Sequence, residues 1–403
     1  MALDLQSPEA MEARLSEAEA LLAAEAYEAV LALTRELLES FGDGQVTPAL
    51  RPWARRLYHL RGDCLTRLDR FSELLQDGAA MLDLLSVDRC SAERAEVMIK
   101  MSFAHANLAM PEQALRAAHV ALQDALTLGQ RMTAAQALER VAMAYLSMGD
   151  GVAAERFMFE ALDHSDESSP PLEQLRRTSN AMHLLCTLYD AYLDMGLNEL
   201  ADALLARARG LPARAERWLP QVPGRYMVCM WQANLARYWR RCQRMAEAQT
   251  LFQACVEEAE SQGWHAVRRP AQLELALMAE CGAELDQARA LLLALFEPEA
   301  LRVRDVVALP AYRAMERVCQ GLGLGEAAEQ AGRQRRARHV ARQQASLEAA
   351  LQTQGLAPML LASLAAAERQ RVETEIKRLR AEQAAGAMLR LPDGEAWFKA
   401  DMP

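Results

Sequence analysis

Residues 134–162 read AAQALERVAMAYLSMGDGVAAERFMFEAL, two apolar-striped segments around a Met-Gly-Asp-Gly turn. Leu138, Val141, Ala142 and Tyr145 recur at the i, i+3, i+4, i+7 spacing that puts an apolar stripe on one face of a helix. Gly149 ends that helix, because a residue without a Cβ enters the left-handed turn at little cost. Asp150 is placed to cap the next helix, its short carboxylate reaching free backbone N–H groups. Ala154, Met158 and Ala161 then form the inward face of the second helix, and the two small residues let the pair approach closely.

The position of Ala154 recurs along the chain at Leu74, Ala114, Ala154, Ala201, Ala248, Ala288 and Ala328. Regular recurrence on this scale predicts a stack of helical hairpins, each burying against its neighbours what it cannot bury alone. The hairpins are expected at about 10–41, 53–85, 92–128, 134–162, 172–209, 225–262 and 270–296, with an eighth starting near 306 and its second helix near 325. The repeat resembles the tetratricopeptide (TPR) motif. Ala142, Tyr145, Gly149, Ala154 and Ala161 fall at its small, aromatic, turn, small and small positions. Leu138 stands where that motif often has Trp, and Met158 where it has an aromatic. Successive gaps of 40, 40, 47, 47, 40 and 40 residues exceed the TPR period and are shared by HEAT-like hairpins; the Gly-Asp turn and the small-residue code favour TPR. The expectation is therefore an all-α, TPR-like right-handed superhelix of about eight helical hairpins plus a helical C-terminal extension. The solenoid is placed over residues 1–332, a long charged extension with a short coiled-coil seam over 333–386, and a tail over 387–403.

Composition narrows the function classes. The 403 residues carry 55 Asp and Glu against 45 Lys and Arg, a net charge of −10, so no nucleic-acid partner is expected. Lys occurs only at Lys100, Lys377 and Lys399. The eight Cys include no CxxC pair, so neither a zinc site nor a redox pair is indicated, and scattered thiols fit a reducing cytoplasm. The N-terminus is acidic without a secretory apolar core, and no run of about 18 apolar residues exists to span a membrane.

No catalytic constellation stands out: there is no GxSxG, Walker loop, HExxH or GxGxxG with a following acid at the right distance. Gly321-Leu-Gly323-Leu-Gly325 follows no strand and reads as a helix–helix turn. No cofactor or metal is expected, and the chain reads as non-enzymatic. The TPR resemblance implies a concave groove lined by the first helix of each hairpin. Carried onto this sequence, its groove positions include Arg56, His59, Ile99, Phe103, Asn107, Glu139, Met143, His183, Arg237, Arg240, Arg241 and Leu277. The Lys and Asn pattern of chaperone-binding TPR domains, which clamps a C-terminal carboxylate, is absent from these positions. Apolar residues beside charged ones suit an amphipathic helix or an extended peptide. Arg237, Arg240 and Arg241, near Tyr226, Trp231, Tyr238 and Trp239, form the densest basic-aromatic cluster. They read either as a solvated helix face or as guanidinium forks for a carboxylate or phosphate.

In the extension, Val372, Ile376 and Leu379 line one helix edge, either as a homodimer seam or as a face packed on the solenoid. The stretch ERQRVETEIKRLRAEQ (368–383) is similar to the linker after sensory TPR regions of bacterial GGDEF-type diguanylate cyclases, but no GGDEF motif follows. The sequence thus supports a cytoplasmic protein- or peptide-binding adaptor that uses the groove. Its alternative is a sensory arm without an output domain, answering to a small ligand or peptide.

Overall fold

A computed structural model describes residues 8–41, 46–85, 90–164, 169–297 and 304–384, and the side chains up to residue 378. Leu379 and the expected tail at 387–403 therefore lie outside the described side chains and residues. Among the described residues the chain is all-α, with no strand.

Among the described residues eight hairpins follow one another. They are α1 (Pro8–Ala23) with α2 (Tyr27–Glu39), α3 (Arg51–Arg67) with α4 (Phe71–Leu84), α5 (Ala92–Asn107) with α6 (Pro111–Thr127), and α7 (Arg131–Met148) with α8 (Gly151–Asp163). Then come α9 (Pro171–Asp194) with α10 (Asn198–Ala208), a short α11 (Leu211–Glu216) and a 3-10 turn at Leu219–Gln221. The series ends with α12 (Tyr226–Arg241) and α13 (Met245–Ser261), α14 (His265–Cys281) and α15 (Leu285–Leu295), and α16 (Asp305–Gly321) with α17 (Gly325–Gln352). Helix α18 (Leu356–Ala384) belongs to a second compact unit that begins at residue 354, whereas α17 belongs to the first, which ends at residue 353. Position 333 falls inside α17. On α18, Val372 and Ile376 are exposed.

The repeat register holds throughout. Ala114, Ala154, Ala201, Ala248 and Ala288 are wholly buried, and Leu74 and Ala328 nearly so. Five residues before each of these positions, the hairpin turn passes through the left-handed region: at Asp69, Ala109, Gly149, Gly196, Gln243, Ala283 and Gly323, with Glu25 in the first hairpin. At the fourth turn the Asp150 carboxylate accepts from the Ala153 backbone N–H at 2.9 Å, as its position in the sequence implies.

Two local expectations change. Helix α14 begins at His265, five residues before the expected start at Pro270, which lies inside it. A proline removes the N–H that would bond the carbonyl four residues back. Here that carbonyl, on Ala266, accepts from Arg304 Nη2 at 3.4 Å. The stretch 210–224, left between the expected hairpins at 172–209 and 225–262, contains α11 and the 3-10 turn.

First helices pack on neighbouring first helices, while second helices pack chiefly on first helices. The first helices therefore form the continuous inner layer and the second helices the outer one. A pure solenoid has contacts only between neighbouring repeats. This one adds contacts between successive windings. In the first hairpin turn, the Glu25 carboxylate accepts from the backbone N–H groups of Arg225 and Tyr226 at the start of α12, at 3.4 and 3.2 Å. Tyr226 stands edge-on to both Tyr27 and Trp264, and the Arg67 guanidinium lies over the rings of Tyr27 and Tyr226. One apolar cluster accordingly runs from Met11 and Leu37 to Cys229, Trp264 and Ala271. At the third turn, Asn107 accepts from Arg304 Nη1 at 3.0 Å. At the fourth, the Ser147 carbonyl accepts from Ser346 of α17 at 3.2 Å. The turn edges of repeats one, three and four thus each meet a segment about 200 residues later, and Arg67 of repeat two reaches Tyr226.

Candidate ligand-binding inner wall

The expected groove positions lie on first helices, and several of them meet one another in the middle stretch of the inner layer. On α5, Phe103 and Asn107 lie one helical turn apart. Phe103 is edge-on to Phe71, and the Arg140 guanidinium stacks 4.9 Å from its ring centre. Asn107 donates to the Phe103 carbonyl and holds Arg304. Half-buried Ile99, Met143 and Leu277 add apolar surface to the same layer. Leu277 belongs with the C-terminal cluster around Leu273 and Met315.

Glu139 is completely buried. It accepts from Arg177 at 2.8 Å, Arg176 at 2.7 Å and Asn180 at 2.8 Å. Its role is to brace α7 against α9 from within the wall. Arg140 reaches Glu139 only at 3.7 Å. Burial, then the like charge of Arg176, lowers its pKa to about 10.

The cluster at Arg237, Arg240 and Arg241 is not a solvated helix face. All three guanidiniums converge on Glu274 of α14, at 2.9, 2.5 and 3.2 Å. Arg237 and Arg241 also hold Asp190 of α9. Burial works to raise the Glu274 carboxyl, but Arg241, Arg240 and Arg237 together outweigh it and hold the pKa near 2. Arg241 is buried and serves as a strut; Arg237 and Arg240 remain partly open. Sequence spacing showed the three arginines, but their carboxylate partners sit 33 to 51 residues away on other helices.

His183 lies beside this cluster and accepts from Arg237 Nη1 at Nδ1, 3.2 Å away. Burial and the positive charges of Arg237, Arg304 and Arg241 push its pKa down to about 3, so the ring is neutral. Arg304, which the sequence did not mark as a groove residue, is placed there by its bonds to Asn107 and the Ala266 carbonyl. A proline within an amphipathic segment was the signal that a carbonyl would be left free.

Arg56 and His59 stand apart, near the first hairpin. Arg56 bridges Glu12 at 2.9 Å and Glu19 at 2.8 Å, and His59 is exposed, 3.6 Å from Glu96. A cavity of about 70 Å³ opens between Asn107, Ser147, Arg304 and Arg342. At roughly 30 Å³ per water that is room for about two waters, well below the few hundred Å³ of an enclosed ligand site. Among the described residues no His, Cys, Asp and Glu cluster could hold a metal, and no helix is long and apolar enough to cross a membrane.

Comparison with solved structures agrees with this architecture. A Rap protein in complex with competence and sporulation factor superposes with a TM-score of 0.53 at 16% identity, over 91% of this chain and 99% of that one. The fold is a TPR-like superhelix. The apo quorum sensor NprR from B. thuringiensis superposes with a TM-score of 0.51 at 13% identity, over 80% of this chain and 86% of that one. No protein-family model and no curated protein sequence matches the chain.

Proposed function

We propose that this chain is a non-enzymatic, cytoplasmic regulatory module that binds a peptide or an extended protein segment along its inner wall. The observation that carries this reading is the wall itself. Ile99, Phe103 and Met143 leave half-buried apolar surface on adjacent first helices, bordered by partly open arginines. An extended chain can lay alternate side chains on such a surface while its own amides meet polar groups. Two structures of similar fold support it: one is complexed with competence and sporulation factor, and the other is a quorum sensor. A regulator that answers to a peptide reconciles the adaptor and sensor readings.

The test is affinity capture from the native organism, comparing wild type with an Ile99→Glu, Met143→Glu double variant whose helicity and melting are verified. Both positions are half-buried rather than fully buried. Arg240→Glu would be a poor choice, because it sets a second carboxylate against Glu274. A peptide or protein retained by wild type and lost from the variant supports the proposal. Equal retention by both removes the inner wall as the binding surface.

A further inference from the structure

Around His183 the inner wall holds more positive charge than the carboxylates met there balance, although the whole chain is acidic. Around His183, the guanidiniums of Arg237, Arg240 and Arg241 share two carboxylates, Glu274 and Asp190. Arg304, whose charge also acts on His183, meets no carboxylate among the described residues: its bonds end on the Asn107 side-chain oxygen and the Ala266 carbonyl. Four cations therefore face two anions. On α7, Arg140 is a fifth: it stacks on Phe103 and shares Glu139, at 3.7 Å, with Arg176 and Arg177, while Arg176 also holds Glu173.

Partly buried charge without a counter-ion is unfavourable, and a guanidinium in low-dielectric surroundings gains most from a carboxylate fork. Arg304 has five N–H groups, of which two are used. Both of its bonds go to neutral oxygens, which position the group without neutralising it. The adjoining Phe103 and Met143 supply apolar contact on the same stretch of wall.

We propose that the ligand of this wall carries a carboxylate, held by Arg304 beside Asn107 and His183. This rests on the reading of the wall as a peptide-binding surface and adds the chemistry it selects. The carboxylate is either the C-terminus of the peptide or an acidic side chain, and the test separates the two sources.

The experiment is equilibrium dialysis of the full chain against unlabelled, N-acetylated pentapeptide pools of identical apolar and small-residue content, read by mass spectrometry. One pool has a free C-terminal carboxylate, one is C-terminally amidated with a single internal Glu, and one is amidated without any acid. The expected result is at least tenfold greater retention of one acid-bearing pool over the neutral pool. The pool that wins identifies the source of the carboxylate. Arg304→Gln should collapse that ratio to below about threefold, and Arg304→Lys should retain part of it. The ratio is the readout because a merely structural loss would lower all pools together. Equal retention of neutral and acidic pools, or an equal loss of all pools in Arg304→Gln, overturns the carboxylate inference. If that retention is still abolished by Met143→Glu, the peptide-binding reading survives without it. Retention of no pool at all overturns both.

Discussion

At the residue scale, five of the eight hairpin turns force a side chain into the left-handed region, at Glu25, Asp69, Ala109, Gln243 and Ala283. An L residue there costs about 1–2 kcal/mol relative to a right-handed conformation. Glycine removes that cost but makes the unfolded chain looser by about 0.4–1 kcal/mol. The alanines at 109 and 283 are exposed, so no buried contact is lost on truncation. Ala109→Gly and Ala283→Gly should each stabilise the fold by about 0.5–1 kcal/mol, the difference of those two effects. Urea midpoints would check this; unchanged or lower midpoints would mean that the turns are not strained. His183 gives a second prediction. Its folded pKa of about 3 lies below its ordinary value of 6.5. Between those values the unfolded chain binds more protons, so stability is fully present above about pH 6.5 and falls as the solution is acidified. Glu274 and Glu173, both held near 2, lose their stabilising effect only below their ordinary value of 4.5. Loss between pH 7.5 and 5.5 therefore belongs to histidines, with His105 and His119 also lowered by burial. His183→Gln should flatten the dependence of the urea midpoint on pH over that range. A slope identical to wild type would remove His183 as its source.

At the scale of elements, the helices were legible in the sequence because their signals are local. An apolar stripe, a turn residue and a small contact residue recur within one hairpin, and they placed all eight pairs. What escaped was non-local. The stretch 210–224 folds into α11 and a 3-10 turn without a repeat signature, and it sets up the start of α12. There Gly224 has φ +77°, and a Cβ on it would stand 2.5 Å from Glu25 Oε1. The same carboxylate caps α12 through the N–H groups of Arg225 and Tyr226. Gly224→Ala thus combines a left-handed alanine with displacement of a helix cap, each worth about 1 kcal/mol or more. A loss of about 2 kcal/mol is expected, while Glu25→Ala should lose only the cap, about 1 kcal/mol. Coupling between them is the informative quantity. In the double variant the two costs should not add, since the cap is already gone. Full additivity in denaturant unfolding would show that Gly224 acts independently of Glu25. The candidate site follows the same logic. Phe103, Asn107, Met143, His183 and Arg237 were placed on the wall by repeat register. Arg304, and the burial of Glu139 and Arg241, depend on partners that no local pattern announces.

Across the whole molecule, the contacts between windings change what kind of solenoid this is. Repeats that touch only neighbours unfold nearly independently, and the ends loosen first. Here one apolar cluster joins the first two hairpins to α12, α13 and α14, with Tyr226 wedged between Tyr27 and Trp264. The N-terminal hairpins are therefore clamped from two sides, by their neighbours and by the next winding. Hydrogen exchange should find α2 and α14 opening together, with similar free energies, in the wild-type chain. Tyr226→Ala removes the wedge, and replacing a large aromatic core residue in this way costs about 3 kcal/mol. Its effect should be uneven. Protection in α2 should fall well below that in α14, because α14 keeps its neighbours α13 and α15 while α2 keeps only α1 and α3. Uniform loss of protection across both helices would mean that Tyr226 supports the global fold without coupling the windings. No loss in either would mean that the windings touch without stabilising each other, and the molecule would then behave as a nearest-neighbour array after all.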